Sequence, residues 1–385
     1  MHIFFDEQIF LIQSAGGISR YICALAEHET RLPGVTATVF GGISLNTHLQ
    51  TLAVGNSLSR RVLPRVDRWR INSQVKRVSR LWRRLAFLRV RRRAEPVIYH
   101  PSYYAVDRFI AKRAAATAVT FYDMIPEWMH EQAGTACRPD RLLAQKSEAA
   151  RAADVVLAIS ESTRKDLERC HPDTAGKIIV TRLASHLGGL PSATPDHPLP
   201  GSFFLFVGNR ENYKNGTAFL RAFALLADRF PSVDAVLFGG HALTGEESAW
   251  LREHQLTERV RQVAGGDAML AACYRKALAL VYPSSYEGFG LPVLEAMQLG
   301  CPVITAPNSS LPEVGGDAAV YVEPLDATAL AAAMTRMVTD SEWRADRMRQ
   351  GLSRSALFTW DKTAECTMEA YQTAMAYKAA GSGPP

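Results

Sequence analysis

The sequence lacks the patterns that mark several classes of protein. No Asp-x-Asp pair occurs in its 385 residues, and the six cysteines are scattered without a Cys-x-x-Cys or a zinc-ligand spacing. The first absence removes a common metal-binding device, and the second favours reduced core thiols over a disulfide framework. No apolar run approaches the ~18 residues of a membrane-spanning helix, and the segment from Met1 to Phe10 does not follow the plan of a signal peptide. We therefore expect a cytoplasmic protein that needs no metal or other cofactor.

Short apolar runs alternate with amphipathic segments along nearly the whole chain. A composition of 47% hydrophobic and 21% charged residues is ordinary for a globular protein, and 385 residues are enough for two domains. Helices are predicted between several strands, for example at Ile18–His28 and Leu142–Ala153. The predicted strands are His2–Asp6, Val35–Gly41, Val97–His100, Ala118–Asp123, Val155–Ser160, Phe203–Val207, Ala235–Gly239, Arg259–Ala264, Leu278–Tyr282, Val303–Thr305 and Val320–Val322. This order predicts an α/β protein with two doubly wound parallel sheets that face a cleft.

A stretch rich in proline and glycine, residues 188–201, interrupts this pattern and is predicted to be a linker. The predicted domains are a Rossmann-like domain over residues 1–187 and a second one over residues 202–360. Residues 361–385 are predicted to form a last helix and a flexible tail. In doubly wound sheets ligands bind outside the carboxyl ends of the strands, so candidate site residues are expected there.

The segment Ser284–Thr305, SSYEGFGLPVLEAMQLGCPVIT, is the most informative part of the chain. It follows a predicted strand, turns through Gly288 and Gly290, and opens a helix near Pro292. The start of a helix presents free N–H groups and a positive dipole end to an anion such as phosphate. Glu287 and Glu295 flank this turn, and carboxylates suit sugar hydroxyls better than phosphate. A site that binds phosphate and hydroxyls together indicates a nucleotide sugar.

A second motif, Phe206-Val-Gly-Asn-Arg-Glu-Asn-Tyr-Lys-Asn, places Arg210 and Lys214 after another strand. Because cations are disfavoured at a helix start unless an anion is present, both side chains are candidates for phosphate binding; the alternative is a pair of solvated charges. Together with Leu311–Gly316 and Ala153–Ser162, the two motifs resemble glycosyltransferase family 4, a retaining family with the two-domain GT-B fold. The resemblance covers most of the chain and is strongest in its C-terminal half.

The resemblance implies a role for each residue of these motifs. Arg210 and Lys214 would hold the donor diphosphate, Glu287 would contact the transferred sugar, and Glu295 would hold the ribose. The turn residues Gly288, Phe289, Gly290 and Leu291 would line the donor site. The last helix, around Trp360–Ala376, resembles the terminal helix with which this family crosses back to the first domain.

Candidates in the first half of the chain carry weaker signals. Gly16 and Gly17 precede a helix and resemble the glycine loop that closes over the diphosphate. His100 and Asp123 end neighbouring predicted strands and are candidate catalytic residues, although a lone histidine is commonly a core residue. Many family members have His-Asp where this chain has Tyr122-Asp123, and whether Tyr122 replaces that histidine is open.

The motif form resembles mannosyltransferase-like members that act in bacterial surface polysaccharide synthesis. This implies a retaining, metal-independent transferase that moves mannose from GDP-mannose to a lipid-linked glycan, with the leaving phosphate oxygen accepting the acceptor's proton. A UDP-sugar or another GDP-sugar is the first alternative. An epimerase or phosphorylase of the same architecture is a second, although no lysine suited to a pyridoxal phosphate Schiff base stands out.

Basic residues are concentrated in one segment, residues 60–93, which holds 14 Lys or Arg and one acid, Asp67. Its net charge of +13 leaves about −7 on the rest of a chain whose total is +6. Apolar and basic residues alternate with helical spacing over residues 69–93, which predicts an amphipathic helix that docks on an anionic membrane at the cytoplasmic face. Its predicted apolar stripe is Ile71, Val75, Val78, Leu81, Trp82, Leu85 and Leu88, and Arg83 is placed on the polar side. The alternatives are a stripe packed on the first domain, or a basic protein that binds nucleic acid, which we do not expect as a partner.

Overall fold

The structure is a computed structural model that describes residues 1–42, 44, 46–52, 55–57, 73–93, 96–132, 141–191 and 198–379. It divides into two compact units. The first unit is Met1–Leu183 together with Trp360–Pro385, and the second is Ala184–Thr359. These boundaries lie within a few residues of the predicted ones after residues 187 and 360.

The first unit contains seven parallel strands in the order β3-β2-β1-β4-β5-β6-β7. They are β1 His2–Phe5, β2 Thr36–Gly42, β3 Gly55–Ser57, β4 Val97–His100, β5 Ala116–Phe121, β6 Val155–Ala158 and β7 Ile178–Val180. The central strands are buried along their whole length, which explains their continuous apolar runs. β3 and β7 were not predicted, because both are edge strands of only three residues.

Helices of the first unit connect these strands. They are α1 Gln8–Ile12, α2 Gly17–Glu29, α3 Thr47–Thr51, α4 Ser73–Arg91, α5 Arg108–Ala111, α6 Ile125–Gln132, α7 Arg141–Ala152 and α8 Glu161–Cys170. The C-terminal helix Trp360–Ala379 also belongs to this unit, where it packs against α2, β5 and β6. The predicted helix over residues 69–93 is therefore present as Ser73–Arg91, and residues 69–72 lie outside the described part.

The second unit contains six parallel strands in the order β10-β9-β8-β11-β12-β13. They are β8 Phe203–Val207, β9 Asp234–Phe238, β10 Val260–Val263, β11 Ala279–Tyr282, β12 Val303–Thr305 and β13 Val320–Tyr321. Its helices are α9 Gly216–Ala227, α10 Gly245–Glu253, α11 Asp267–Lys276, α12 Leu291–Gln298, α13 Leu311–Gly315, α14 Ala327–Thr339 and α15 Ser341–Ser355, so the C-terminal helix is α16. The predicted fold class, two doubly wound parallel sheets, is confirmed.

The strand order of each sheet fixes where a ligand site forms. In the first unit the order reverses between β1 and β4, and in the second it reverses between β8 and β11. Loops leave such a pair of strands in opposite directions and open a crevice at the carboxyl ends. The loop with Arg210 and Lys214 follows β8, and the loop with Glu287 follows β11. Both sequence motifs therefore lie at the reversal point of the second sheet.

Candidate functional site

Glu287 lies at the centre of a buried polar cluster in the second unit. Its Oε1 accepts hydrogen bonds from the Tyr282 hydroxyl at 2.5 Å, the Lys214 Nζ at 2.9 Å and the Ser284 Oγ at 3.0 Å. Lys214 Nζ also donates to the Tyr282 hydroxyl oxygen at 2.6 Å. An ammonium has three N–H donors, and two of them are used by acceptors within the described part of the chain. The structure thus brings the predicted residues Lys214 and Glu287 together.

Neighbouring loops hold the backbone around Glu287. Ser309 Oγ accepts from the Glu287 N–H at 2.8 Å, and Ser310 Oγ donates to the Glu287 carbonyl at 2.8 Å. Asn215, in the left-handed region at φ 52°, donates through Nδ2 to Pro283 O and Ser285 Oγ, both at 2.8 Å. Three loops, which follow β8, β11 and β12, therefore meet at Glu287 and fix its position.

The turn before α12 has the predicted geometry. Gly290 has φ 99° and precedes the first helical residue, Leu291. A Cβ at Gly290 would lie 2.9 Å from Leu311 Cδ2, so both the backbone angle and the packing require glycine. Phe289 is buried against Phe358, which fixes the turn next to Gly288. Pro292 has no N–H, and the N–H groups of Val293 and Leu294 donate to the Gly290 carbonyl. This turn therefore offers an anion the Leu291 N–H and the positive end of the helix dipole.

Glu295 lies in the second turn of α12 and is buried. Its Oε2 accepts a hydrogen bond from the Tyr274 hydroxyl at 3.1 Å. Burial and the Glu295 charge together raise the pKa of Tyr274 well above its ordinary value, so the phenol stays a donor. Tyr274 thus orients the carboxylate that the sequence assigned to the ribose.

Arg210 is more buried than the sequence suggested. Its side chain is only 5% exposed and forms a bidentate pair with Glu247, with Nε to Oε1 at 2.7 Å and Nη2 to Oε2 at 3.0 Å. Glu247 and Glu287 pair Arg210 and Lys214 within the unit, so neither cation depends on an external anion for a partner. Both cations are charge-balanced in this structure.

In the first unit, Gly16 lies next to the side chain of Gln13. A Cβ at Gly16 would lie 2.5 Å from Gln13 Oε1, which accepts from the Ser19 N–H at the start of α2. A Cβ at Gly17 would meet nothing within 4 Å. A side chain at Gly16 would therefore have to displace the Gln13 carboxamide, whereas Gly17 leaves open space at the start of the helix.

His100 is fully buried, and both ring nitrogens are used. Nδ1 lies 2.6 Å from the Tyr371 hydroxyl of α16, and Nε2 lies 2.8 Å from Thr120 Oγ1. Burial lowers the pKa of His100 to about 3, so the ring is neutral. The histidine joins α16 to β4 and β5, and no ring nitrogen is left for a substrate. We therefore do not propose a catalytic role for His100.

Asp123 lies at the end of β5 with its side chain 30% exposed. Its Oδ1 accepts from the Ile125 N–H at 3.1 Å, and the fully buried Lys146 donates to its carbonyl at 2.7 Å. Lys146 also pairs with Glu127 at 2.7 Å. Tyr122 is buried against Tyr21 and Tyr104, so its ring serves the core. Asp123 stays a candidate, and Lys146 is the group that positions its loop.

A second ionic cluster joins α4 to the carboxyl ends of β1 and β4. We call it the Arg83 cluster, and its members are Asp6, Glu7, Ser79, Arg83 and Asp107. Arg83 contacts Asp107 at 2.9 Å and Glu7 at 3.3 Å, and burial together with the Asp6 charge raises the pKa of Glu7 to about 7. The placement of Arg83 on the polar side of the helix is therefore wrong, because three carboxylates draw it into the unit.

The apolar stripe of α4 is exposed. Val78, Leu81, Trp82 and Leu85 are 44, 58, 38 and 55% exposed, whereas Ser79, Arg83 and Phe87 form the buried face. Ile71 lies outside the described residues, and the side chain of Val75 is not described. Leu88 is half-buried. For Val78, Leu81, Trp82 and Leu85, the alternative of a stripe packed on the first domain is wrong.

Several residues of the site were missed in the sequence. Tyr282 and Ser309 contact Glu287, Glu247 pairs with Arg210, and Lys146 holds the Asp123 loop. Only Tyr282 carried a local signal, since it ends β11 directly before the motif. Within the described ranges no group of three or more His, Cys, Asp or Glu could hold a metal ion, and no helix there is long and apolar enough to cross a membrane.

Residues 193–354 match the family Glycosyl transferases group 1. The chain is 29% identical over 296 residues to O-antigen chain mannosyltransferase B of Escherichia coli, a match that covers 71% of this chain and 74% of that protein. It is also 29% identical over 237 residues to the serotype-specific mannosyltransferase WbdA of Escherichia coli, across 57% of this chain. The chain spans only 29% of the length of that second relative.

Solved structures with a similar fold cover nearly the whole chain. Sucrose-phosphate synthase from Thermosynechococcus elongatus superposes with a TM-score of 0.70 at 21% identity, over 97% of this chain and 99% of that one. Anabaena HepE in complex with UDP and glucose gives a TM-score of 0.69 at 16% identity, over 96% and 99%. At these identities the likeness shows the fold alone.

Proposed function

We propose that this chain, which is similar to glycosyltransferases of group 1, transfers mannose, with retention, from GDP-mannose to a lipid-linked glycan in surface polysaccharide synthesis. The similarity to an O-antigen chain mannosyltransferase over about three quarters of that protein supports the sugar and the pathway class. The contact between Lys214 and Glu287 at the sheet reversal carries the assignment of the site.

Two kinds of group hold the donor: cationic or N–H groups for its diphosphate, and carboxylates for its hydroxyls. The diphosphate is bound by three positively charged or N–H-donating groups. They are the third N–H of Lys214, the Nη1 donors of Arg210 and the start of α12. Glu287 accepts from hydroxyls of the transferred sugar, and Glu295 accepts from the ribose. Tyr282 and Ser284 hold Glu287 through one oxygen, so the carboxylate keeps its orientation as Lys214 turns to phosphate.

The reaction forms one bond and breaks one. The acceptor hydroxyl oxygen attacks the anomeric carbon on the face that the diphosphate leaves, and the bond from that carbon to the phosphate oxygen breaks with its electron pair. The leaving oxygen takes the hydroxyl proton, which gives the glycoside and GDP. Lys214 and Arg210 stabilise the charge that develops on the diphosphate, and preorganised charge of this kind is a large catalytic term.

The exposed face of α4 supports a lipid-linked acceptor. Val78, Leu81, Trp82 and Leu85 form an apolar surface, which we call the Trp82 face, and Arg80 and Arg89 are exposed on the same helix. The helix has no acidic residue, and its opposite side is held by Arg83 and Phe87. Tryptophan and leucine beside arginine suit the headgroup boundary of an anionic bilayer. We infer that the enzyme works on the cytoplasmic face of the membrane.

A donor screen tests the proposed reaction. Purified protein is incubated with a lipid-linked mannan fragment and with GDP-mannose, other GDP-sugars or UDP-sugars, and released GDP or UDP is measured. We expect acceptor-dependent release of GDP from GDP-mannose and its loss in Glu287→Gln. Faster release from a UDP-sugar would replace the donor, and no release from any sugar nucleotide would contradict the function.

Vesicle sedimentation tests the membrane surface separately. Wild-type protein should bind anionic vesicles at low salt, less at high salt, and neutral vesicles weakly. Leu81→Ser with Leu85→Ser should reduce this binding, and Leu225→Ser, an equally exposed leucine of α9, is the matched control. Binding that ignores lipid charge and salt, or preferential binding to an oligonucleotide, would contradict membrane docking.

A further inference from the structure

Arg210 is held from one side only. Its Nε and Nη2 donate to both oxygens of Glu247, and Nη2 also donates to the carbonyls of His241 at 2.8 Å and Ala242 at 3.2 Å. A guanidinium has five N–H donors, and three of them lie on these two nitrogens. The carboxylate and the two carbonyls therefore fix the plane of the guanidinium.

The third nitrogen, Nη1, is buried and has no hydrogen-bond partner among the described residues. It lies beside the carboxyl ends of β8 and β9, where Gly208 and Gly240 have φ 108° and 71°. A Cβ at Gly240 would lie 3.2 Å from Nη1 and 2.8 Å from the Gly208 carbonyl. A buried donor without a partner costs free energy, so this nitrogen is expected to be satisfied by a ligand.

We propose that Glu247 is a positioning residue that holds Arg210 in a fork, so that Nη1 is presented to the donor diphosphate. The proposal rests on the proposed donor site and assigns Glu247, which neither sequence motif contains. Two parallel N–H···O bonds fix a guanidinium in angle as well as distance, which a lysine or a single acceptor could not do.

Glu247 is itself fixed by the start of α10. Thr244 Oγ1 accepts from the Glu247 N–H at 3.1 Å, and Glu247 Oε2 accepts from the Thr244 N–H at 2.8 Å. This capping box sets the backbone and the side-chain direction of Glu247. Hydrogen bonds from Arg210, against the effect of burial, keep the pKa of Glu247 below its ordinary value, so the carboxylate is charged throughout the neutral range.

The two roles of Glu247 can be separated by mutation. Glu247→Gln keeps the size of the side chain and can retain the capping hydrogen bond, but it has one acceptor oxygen and no charge for Arg210. Thr244→Ala removes the threonine part of the capping box and leaves the carboxylate. Glu246→Gln makes the same charge change one position earlier, at an exposed side chain.

The quantity measured is the ratio of the affinity for a nucleoside diphosphate to the affinity for the monophosphate. This ratio reports the contribution of the β-phosphate to binding. GDP and GMP, and in parallel UDP and UMP, are titrated by calorimetry into each folded variant. Arg210→Ala should lower the ratio by about 100-fold and Glu247→Gln by about tenfold. Thr244→Ala should lower the melting temperature but not the ratio, and Glu246→Gln should change neither. In the Arg210→Ala background Glu247→Gln should have no further effect on the ratio.

Three results would overturn the proposal. If Arg210→Ala lowers the ratio and Glu247→Gln does not, Glu247 does not position Arg210, while the donor site stands. If Thr244→Ala lowers the ratio as much as Glu247→Gln, the effect comes from the helix start. If Arg210→Ala leaves the ratio unchanged, the phosphate assignment of the donor site is wrong, and the role of Glu247 is wrong with it.

Discussion

Two regions of this molecule differ in the burial and pairing of their basic residues. In the second unit, Arg210 and Lys214 are largely buried, and each is paired with one carboxylate at 2.7 and 2.9 Å. On α4 of the first unit, most described arginines are exposed, and the helix holds no acid. The first arrangement fixes a few N–H donors in place, whereas the second produces a diffuse positive field.

Arg83 breaks this division, because it lies on the basic helix but is as buried as Arg210. The comparison teaches that charge count says little about the role of a cation until its carboxylate partners are known. Arg83 serves structure, Arg210 and Lys214 serve the donor, and the exposed arginines serve a surface. Each of these roles makes a different quantity sensitive to mutation.

The largest effect is expected at Arg83. Arg83→Ala leaves the buried Glu7 without its cation and removes one of the two arginines that pair with Asp107, the other being Arg84, which should lower the free energy of unfolding by up to about 3–5 kcal/mol. Denaturant unfolding measures this change, and Arg80→Ala, at an exposed position of the same helix, should stay within about 0.5 kcal/mol. Equal stabilities of the two variants would show that the Arg83 cluster does not hold α4.

Next in size is the effect of Lys214 on turnover. Lys214→Ala removes a cation from the proposed leaving group, so kcat should fall by roughly 10²–10³, about 3–4 kcal/mol. The variant also leaves the buried Glu287 carboxylate without its cation, so the melting temperature should fall as well, and turnover is compared at a temperature where both proteins are folded. Lys276→Ala, an exposed lysine at the end of α11, is the control. Near-normal turnover in Lys214→Ala would remove Lys214 from the site.

For Arg210 the structure changes an expectation. A charge at the surface could be removed with little effect on folding, but a buried side chain paired with Glu247 cannot. Loss of activity in Arg210→Ala must therefore be corrected for stability before it is read as catalysis. The ratio of diphosphate to monophosphate affinity provides that correction.

Much of the fold could be predicted because the signals are local. Phe203–Val207 is a run of five buried apolar residues, and its predicted bounds are those of the structure. The glycine turn at Gly290 could be read in the same way, since its left-handed backbone and the helix start are adjacent in sequence.

The missed features depend on distant partners. Arg83 meets Glu7 across 76 positions, Tyr282 meets Lys214 across 68, and Arg210 meets Glu247 across 37. A helical spacing shows which side chains share a face, but not which face finds carboxylates. For this reason the apolar stripe of α4 could be identified, whereas the burial of Arg83 could not.

The third prediction concerns the pH dependence of stability. Because the pKa of Glu7 is raised to about 7 in the folded state, folding favours its protonated form. Its contribution is fully present below the unfolded pKa of about 4.5 and is lost as pH rises through about 7, up to about 3 kcal/mol in all. Buried His2 and His100, whose pKa values are lowered to about 4 and about 3, add an opposite slope to both proteins. The loss should therefore appear as a stability difference between wild type and Glu7→Gln that shrinks from pH 4.5 to 8 in unfolding curves. The same slope in both would assign it to another group.

The smallest effects are expected from substitutions of single exposed arginines of α4. These effects show whether such an arginine contributes to membrane binding or to the stability of the fold. Arg89→Gln should weaken binding to anionic vesicles by about 1 kcal/mol, because each cation near such a surface contributes about that much. The effect should shrink at high salt, and the free energy of unfolding should stay within about 0.5 kcal/mol of wild type. Glu246→Gln, which removes one exposed charge from the second unit, should leave vesicle binding unchanged. If Arg89→Gln destabilises the fold and leaves vesicle binding intact, then Arg89 belongs with Arg83, and the contrast between buried and exposed arginines on this helix fails.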